Sequence, residues 1–155
     1  MTKISKYLTL EEATQSATAK RLGVSNQPNA VQLLNMKHIA TTIFDPVRDY
    51  VGGPLTASSF LRVPKVNRAI GGSQTSDHET GEAIDITTKW YPVDKTNADV
   101  FYHIKNNYLF DQLIWEFGTE DEPDWVHVSL RRTRPNRMMV LEAYKENGKI
   151  KYKLF

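Results

Sequence analysis

Two hydrophobic periodicities divide the chain. In the first third, apolar residues recur at helical spacing. Thr9 followed by Glu12 forms a capping-box pattern that opens a helix ending near Gly23. Ser25 or Asn26 can cap the next helix, with Pro28 in its first turn. Ala30, Leu33, Leu34, Ile39, Ile43 and Phe44 then form an apolar stripe that runs towards Asp45. Pro46 kinks or restarts this helix, which extends to Gly52-Gly53. Later the period shortens to two. Short strands are predicted at 54–59, 83–87, 110–117 and 125–130, the last two separated by the acidic turn GTEDEPD. NADVFYHIKN (97–106) predicts one further helix, and the C-terminal segment predicts a hairpin around Glu146-Asn147-Gly148. Helices first and strands later give an α+β fold rather than a parallel α/β sheet. The segment from Ser59 to Gly81 is irregular and long for a connection, which marks it as functional or disordered.

Within the short-period half, two strands carry polar residues where a core would not. In Ala83-Ile84-Asp85-Ile86 the isoleucines share one face and Asp85 points to the other. In the strand from Trp125 to Leu130, Val126, Val128 and Leu130 share a face, and His127 lies opposite with Trp125 and Ser129. His78 precedes the first of these strands in a glycine-flanked loop and can reach the same cleft. A carboxylate flanked by isoleucines loses hydration and needs a cation or several hydrogen bonds in return. Two imidazoles and one carboxylate suit zinc, with the fourth position left for water. One Zn2+ per chain, held by His78, Asp85 and His127, is therefore expected. Asp124, in the turn three residues before His127, is positioned to take a proton from the water and pass it to a leaving amine. Arg62, in the long segment, can stabilise an oxyanion or hold a substrate carboxylate, and spacing alone does not choose.

Composition narrows the field. The 155 residues fit a single domain, 1–155, with 40% hydrophobic and 25% charged residues. A net charge of +2 gives no case for nucleic acid. With no cysteine, disulfides and thiolate ligands are excluded, so a metal site must use histidine and carboxylate. No segment resembles a signal peptide or a membrane span, so synthesis in the cytoplasm without membrane insertion is expected.

The ordered pattern of Arg62, Pro64, Asn67, Gly71-Gly72, then Ser76, His78, Gly81, Ala83, Asp85, and finally Asp124 and His127 resembles one family. It is the zinc D-Ala-D-Ala carboxypeptidase and L-alanyl-D-glutamate endopeptidase family, whose fold is shared with the hedgehog signalling domain. The resemblance covers about residues 40–130. It implies helices against an antiparallel sheet, zinc on His78, Asp85 and His127, Asp124 as general base, and Arg62 stabilising charge that develops on the substrate. The implied substrate is the peptide stem of bacterial peptidoglycan. A monomer is expected. Ser59-Phe60-Leu61-Arg62 stands where the family often has Ser-Gly-Tyr-Arg, and the base is aspartate where other members have glutamate.

Two specificities compete, carboxypeptidase and endopeptidase. A phage-type lysis enzyme, released to the wall by a separate membrane-permeabilising protein, is the expected setting, and a cytoplasmic enzyme trimming wall precursors is the rival. A non-catalytic zinc-containing wall-binding or phage structural module is the alternative from another class. Glu116, in LIWEF, faces either the cleft or solvent and is left outside the site. Arg131, Arg132, Arg134 and Arg137 meet the anionic wall or, more plainly, form a solvated basic turn. Trp90 and Tyr91 are candidates for a substrate groove or for core packing.

Overall fold

Local signals explain most of the helices in the computed structural model, which describes residues 2–155. Thr9 and Glu12 make the reciprocal capping box and open α1 (Leu10–Thr14). The predicted helix does not continue to Gly23, because Gln15 is extended and Ser16 caps a second helix, α2 (Ala17–Leu22), which Gly23 ends in left-handed conformation. The next cap is Asn29, not Ser25 or Asn26. Asn29 and Gln32 cap each other at the start of α3 (Ala30–Ile39). Asn26 is instead buried and ties separate segments together. Its amide donates to the carbonyls of Thr14 and Leu61, and its oxygen accepts from the Val63 N–H. A π-helical turn (Ala40–Phe44) leads into α4 (Asp45–Val51), with Pro46 in its first turn and Gly52 as its left-handed stop.

After β1 (Thr56–Ser59) the long segment contains a helix that periodicity did not reveal, α5 (Pro64–Ala69). Then come β2 (Ala83–Thr87), α6 (Asn97–Asn107), β3 (Gln112–Glu116), β4 (Trp125–Ser129), β5 (Met139–Glu146) and β6 (Lys149–Leu154). The six strands form one sheet in the order β1-β2-β4-β3-β5-β6. The fold is α+β, as expected, but the sheet is mixed rather than antiparallel, because β5 runs parallel to β3. β4 finishes at the end of the sheet where β3 begins. The connection turns back there, with the N–H groups of Met138 and Met139 donating to Phe110 and Asp111, so β5 enters alongside β3 in the same direction.

One sheet face is apolar. Ile84, Ile86, Leu113, Trp115, Val126 and Val128 pack on residues of α3, α4 and α6, including Met36, Ile39, Val47 and Phe101. Phe155 closes this core at one end against Phe101 and Trp115. The other face, helix-free at its centre, carries Asp85, His127 and Glu116. Among the described residues no helix is long and apolar enough to cross a membrane.

Candidate metal centre

The register of β2 and β4 sets Asp85 directly opposite His127. His127 Nδ1 lies 3.1 Å from Asp85 Oδ1. His78, from the turn before β2, brings its Nε2 to 3.3 Å from the same oxygen. All three donor atoms lie within 4.8 Å of one another. Tetrahedral zinc with ligands at about 2.0–2.1 Å sets its donors about 3.4 Å apart, so both separations fit such an ion. The tautomer fits too. His78 Nδ1 is 2.7 Å from the Phe60 carbonyl, which only accepts, so Nδ1 carries the proton and Nε2 presents a lone pair to the site.

Electrostatics describe a site organised around one anion. Burial pushes the Asp85 carboxyl up, but the two imidazoles set against it, His78 and His127, outweigh this and hold the group well below the ordinary carboxylate range. Burial lowers His78 and favours its neutral form. Burial also disfavours charge on His127, but the Asp85 hydrogen bond overcomes this and raises it.

The surroundings explain the sequence pattern. Pro64 starts α5, which carries the fully buried Asn67. Asn67 donates to the Ser73 carbonyl at 2.7 Å and to Glu79 Oε2 at 2.6 Å, holding the loop that leads to His78. From α3, Gln32 and Asn35 donate to the carbonyls of Glu79 and Thr80, each at 2.9 Å. Gly81 lies under α3 with φ +79°, and a Cβ there would come 2.8 Å from the Gln32 carbonyl oxygen. The Arg131–Arg137 segment lies at the surface, as expected of a solvated basic turn, but its arginines are not a free wall-binding patch. Arg137 forms a two-pronged pair with the fully buried Asp111, Arg131 Nε lies 3.3 Å from Asp111, and Arg134 bridges Asp77 and Glu82. Asp77 immediately precedes His78, so this network braces the turn that carries His78.

A cavity of about 760 Å3 opens over the trio. Arg62 lines it, with a buried Nε that has no hydrogen-bond partner among the described residues. Asp124 does not line this cavity. Its carboxylate is 53% exposed and lies 3.8 Å from the Lys89 ammonium. Trp90 and Tyr91 are exposed and also stand outside it.

Glu116 does line the cavity and is buried, and its carboxylate has no hydrogen-bond partner among the described residues. Burial pushes its carboxyl up to about 7, helped by the negative charge of Asp85 and opposed by His127 and Arg62. Strand alternation puts Glu116 on the face opposite Leu113 and Trp115. The register beside Trp125, which places it over the cleft, needs the sheet.

A family model described as Peptidase M15 matches residues 6–129, from the N-terminal turn to the end of β4. No curated protein matches the chain.

Proposed function

Because the chain belongs to the Peptidase M15 family, we propose that it is a zinc peptidase hydrolysing an amide bond in the peptide stems of bacterial peptidoglycan. We take 1–155 as one peptidase unit with the hedgehog/DD-peptidase arrangement, the helices covering one sheet face and the catalytic groups on the other. The observation that carries the reading is the meeting of His78, Asp85 and His127, from three separate parts of the chain, about a single carboxylate oxygen.

In this reading the two imidazoles and Asp85 would hold one zinc ion, which when bound would supply Lewis acidity and make a water more acidic. Asp85 neutralises part of that charge, and the Phe60 carbonyl fixes the ring orientation of His78. Arg62 projects a guanidinium into the same cavity and offers donors to the oxygen on which charge develops as the amide is attacked. A carboxylate must take the proton of the attacking water and deliver it to the departing amine. The D-x-x-H spacing gives this role to Asp124, whose side chain would have to turn in from Lys89. Glu116 is favoured for the same role by its place in the cavity.

Mass spectrometry of defined muropeptides, digested with and without a chelator, tests the reading. We expect cleavage of one bond type, its loss on chelation and its return with zinc. Cleavage that ignores the chelator would overturn the zinc assignment, and zinc binding without cleavage of any muropeptide would leave the non-catalytic wall-binding module. Asp124→Asn and Glu116→Gln separate the two carboxylates: the one whose loss removes roughly a hundredfold or more of kcat, with zinc retained, is the proton carrier.

A further inference from the structure

The cleft has a wall that the metal chemistry does not account for. It is built by the β5–β6 hairpin, beyond the segment that the family model matches. Sheet register fixes which hairpin residues face the cleft. Glu116 pairs with Ala143, and Ala143 with Tyr152, so these three lie in one row on one face. In the same way Lys145 pairs with Ile150 on that face. The lysines of β6, at 149, 151 and 153, alternate to the opposite face. Lys145, Ile150 and Tyr152 all line the cavity that contains His78, Asp85 and His127.

These side chains are not satisfied within the protein. Ile150 and Tyr152, on the exposed edge strand β6, are 55% and 54% exposed and lie side by side along the cleft. The small, buried Ala143 between Glu116 and Tyr152 leaves room for the phenol to lean inward. Burial raises the Tyr152 phenol, and the charges of Glu116 and Asp85 raise it further, so the ring feels the carboxylates of the site. Its hydroxyl has no hydrogen-bond partner among the described residues. Lys145 stands over the Phe117 ring at 5.5 Å. Lys151 and Lys153 pair with Glu146 and Glu142, but no carboxylate lies within 4 Å of Lys145 among the described residues, and none within 4 Å of Arg62. The cleft thus presents two unpaired cations on opposite sides of the metal ligands, with an exposed apolar strip beside one of them.

We propose that the β5–β6 hairpin is the substrate-recognition wall of the cleft, where Ile150 and Tyr152 pack along an extended acidic peptide and Lys145 pairs with a free carboxylate of that peptide. The proposal rests on the cleft being the peptide site of the proposed peptidase. It also divides the work of the cations. Lys145 holds a carboxylate of the substrate and leaves Arg62 free for the oxygen of the scissile carbonyl.

Stem peptides with each carboxylate in turn free or amidated provide the test. Binding is followed by tryptophan emission, Trp125 being in the cavity lining, on chelator-treated protein so that no hydrolysis runs. For one carboxylate position, Lys145→Gln should weaken the free-acid peptide roughly five- to tenfold and leave the amidated peptide unchanged. Tyr152→Ala should weaken both forms, with an unaltered thermal transition. Equal effects of Lys145→Gln on both peptides, or no effect of either substitution, would overturn the proposal, as would the absence of any binding by the wild type. Binding that responds as expected, in a protein that with zinc never cleaves the peptide, sinks the peptidase reading and leaves the wall standing. Zinc-dependent cleavage with unchanged KM in both variants sinks the wall alone.

Discussion

The two sides of the cleft differ in how tightly the chain holds them. On the side of the proposed metal ligands, the residues His78, Asp85 and His127 are all buried. The turn that carries His78 is held by Asn67, Gln32 and Asn35 and braced by Arg131 and Arg134. On the hairpin side Ile150 and Tyr152 are 55% and 54% exposed, and the strand that bears both has only β5 as a neighbour. Coordination requires donor atoms placed within fractions of an ångström, so their supports must be over-determined. Contact with a flexible peptide tolerates a surface that adjusts. The contrast teaches that a site's demand for accuracy can be read from how many independent elements restrain each residue.

The largest expected effect lies on the braced side. His127→Ala removes one of the three proposed zinc ligands and leaves Asp85 with a single imidazole. Zinc stoichiometry should fall to background and hydrolysis by roughly a thousandfold or more. Metal analysis after dialysis, together with the muropeptide assay, checks both. A variant that kept its zinc would place the ion elsewhere and dissolve the contrast between the two sides.

Glu116→Gln is expected to increase stability, because this carboxylate is held where its charge is poorly accommodated. Its folded-state value of about 7 stands above the ordinary 4.5, so the native protein binds more protons than the unfolded chain between those values. The stability penalty is therefore absent below about pH 4.5, grows as pH rises through the window, and is complete above 7. In metal-free protein at pH 8 the glutamine variant should be more stable by about 3 kcal/mol, and at pH 5 by under about 1 kcal/mol. Denaturant titrations at the two pH values read this directly. A constant gap would mean that the carboxyl does not titrate there.

What the sequence made legible follows the range of the interactions. Capping boxes, alternation within β2 and β4, and the β5–β6 turn depend on neighbours a few residues away, and they are visible in one dimension. The spacing of Arg62, Asn67, His78, Gly81 and Asp85 was equally visible, though the reason for Asn67 and Gly81 required α3 to be laid over the turn. The parallel entry of β5 depends on Arg137 meeting Asp111 across 26 residues, which no periodicity encodes. For Glu116, alternation gave the face but not its cover. Asn26 looked like a cap because its type fits one, and it was taken instead by three backbone groups from distant segments. Arginines 131, 134 and 137 read as a solvated basic turn, and their pairing was hidden because their carboxylate partners lie far away in sequence.

Two glycines sharpen the comparison at the smallest scale. Gly81 on the braced side and Gly148 in the hairpin turn both have left-handed backbones, with φ +79° and +75°. An alanine at either position carries the cost of that conformation, about 1 kcal/mol. At Gly148 nothing lies within 4 Å of the added methyl, so the conformational cost is the whole effect. At Gly81 the methyl would meet Met36 Cγ at 2.7 Å and the Gln32 carbonyl oxygen at 2.8 Å. Methionine can yield, but the helix backbone cannot without moving α3 or the turn. Gly81→Ala should therefore cost about 2 kcal/mol and weaken zinc binding, because the displaced turn carries His78. Gly148→Ala should cost about 1 kcal/mol and leave zinc binding unchanged. Thermal unfolding of the metal-free variants, with a competition titration for zinc, measures both quantities. If Gly148→Ala weakened zinc as much as Gly81→Ala does, the hairpin would be mechanically coupled to the ligands, and the distinction between a braced side and an adaptable side would fail.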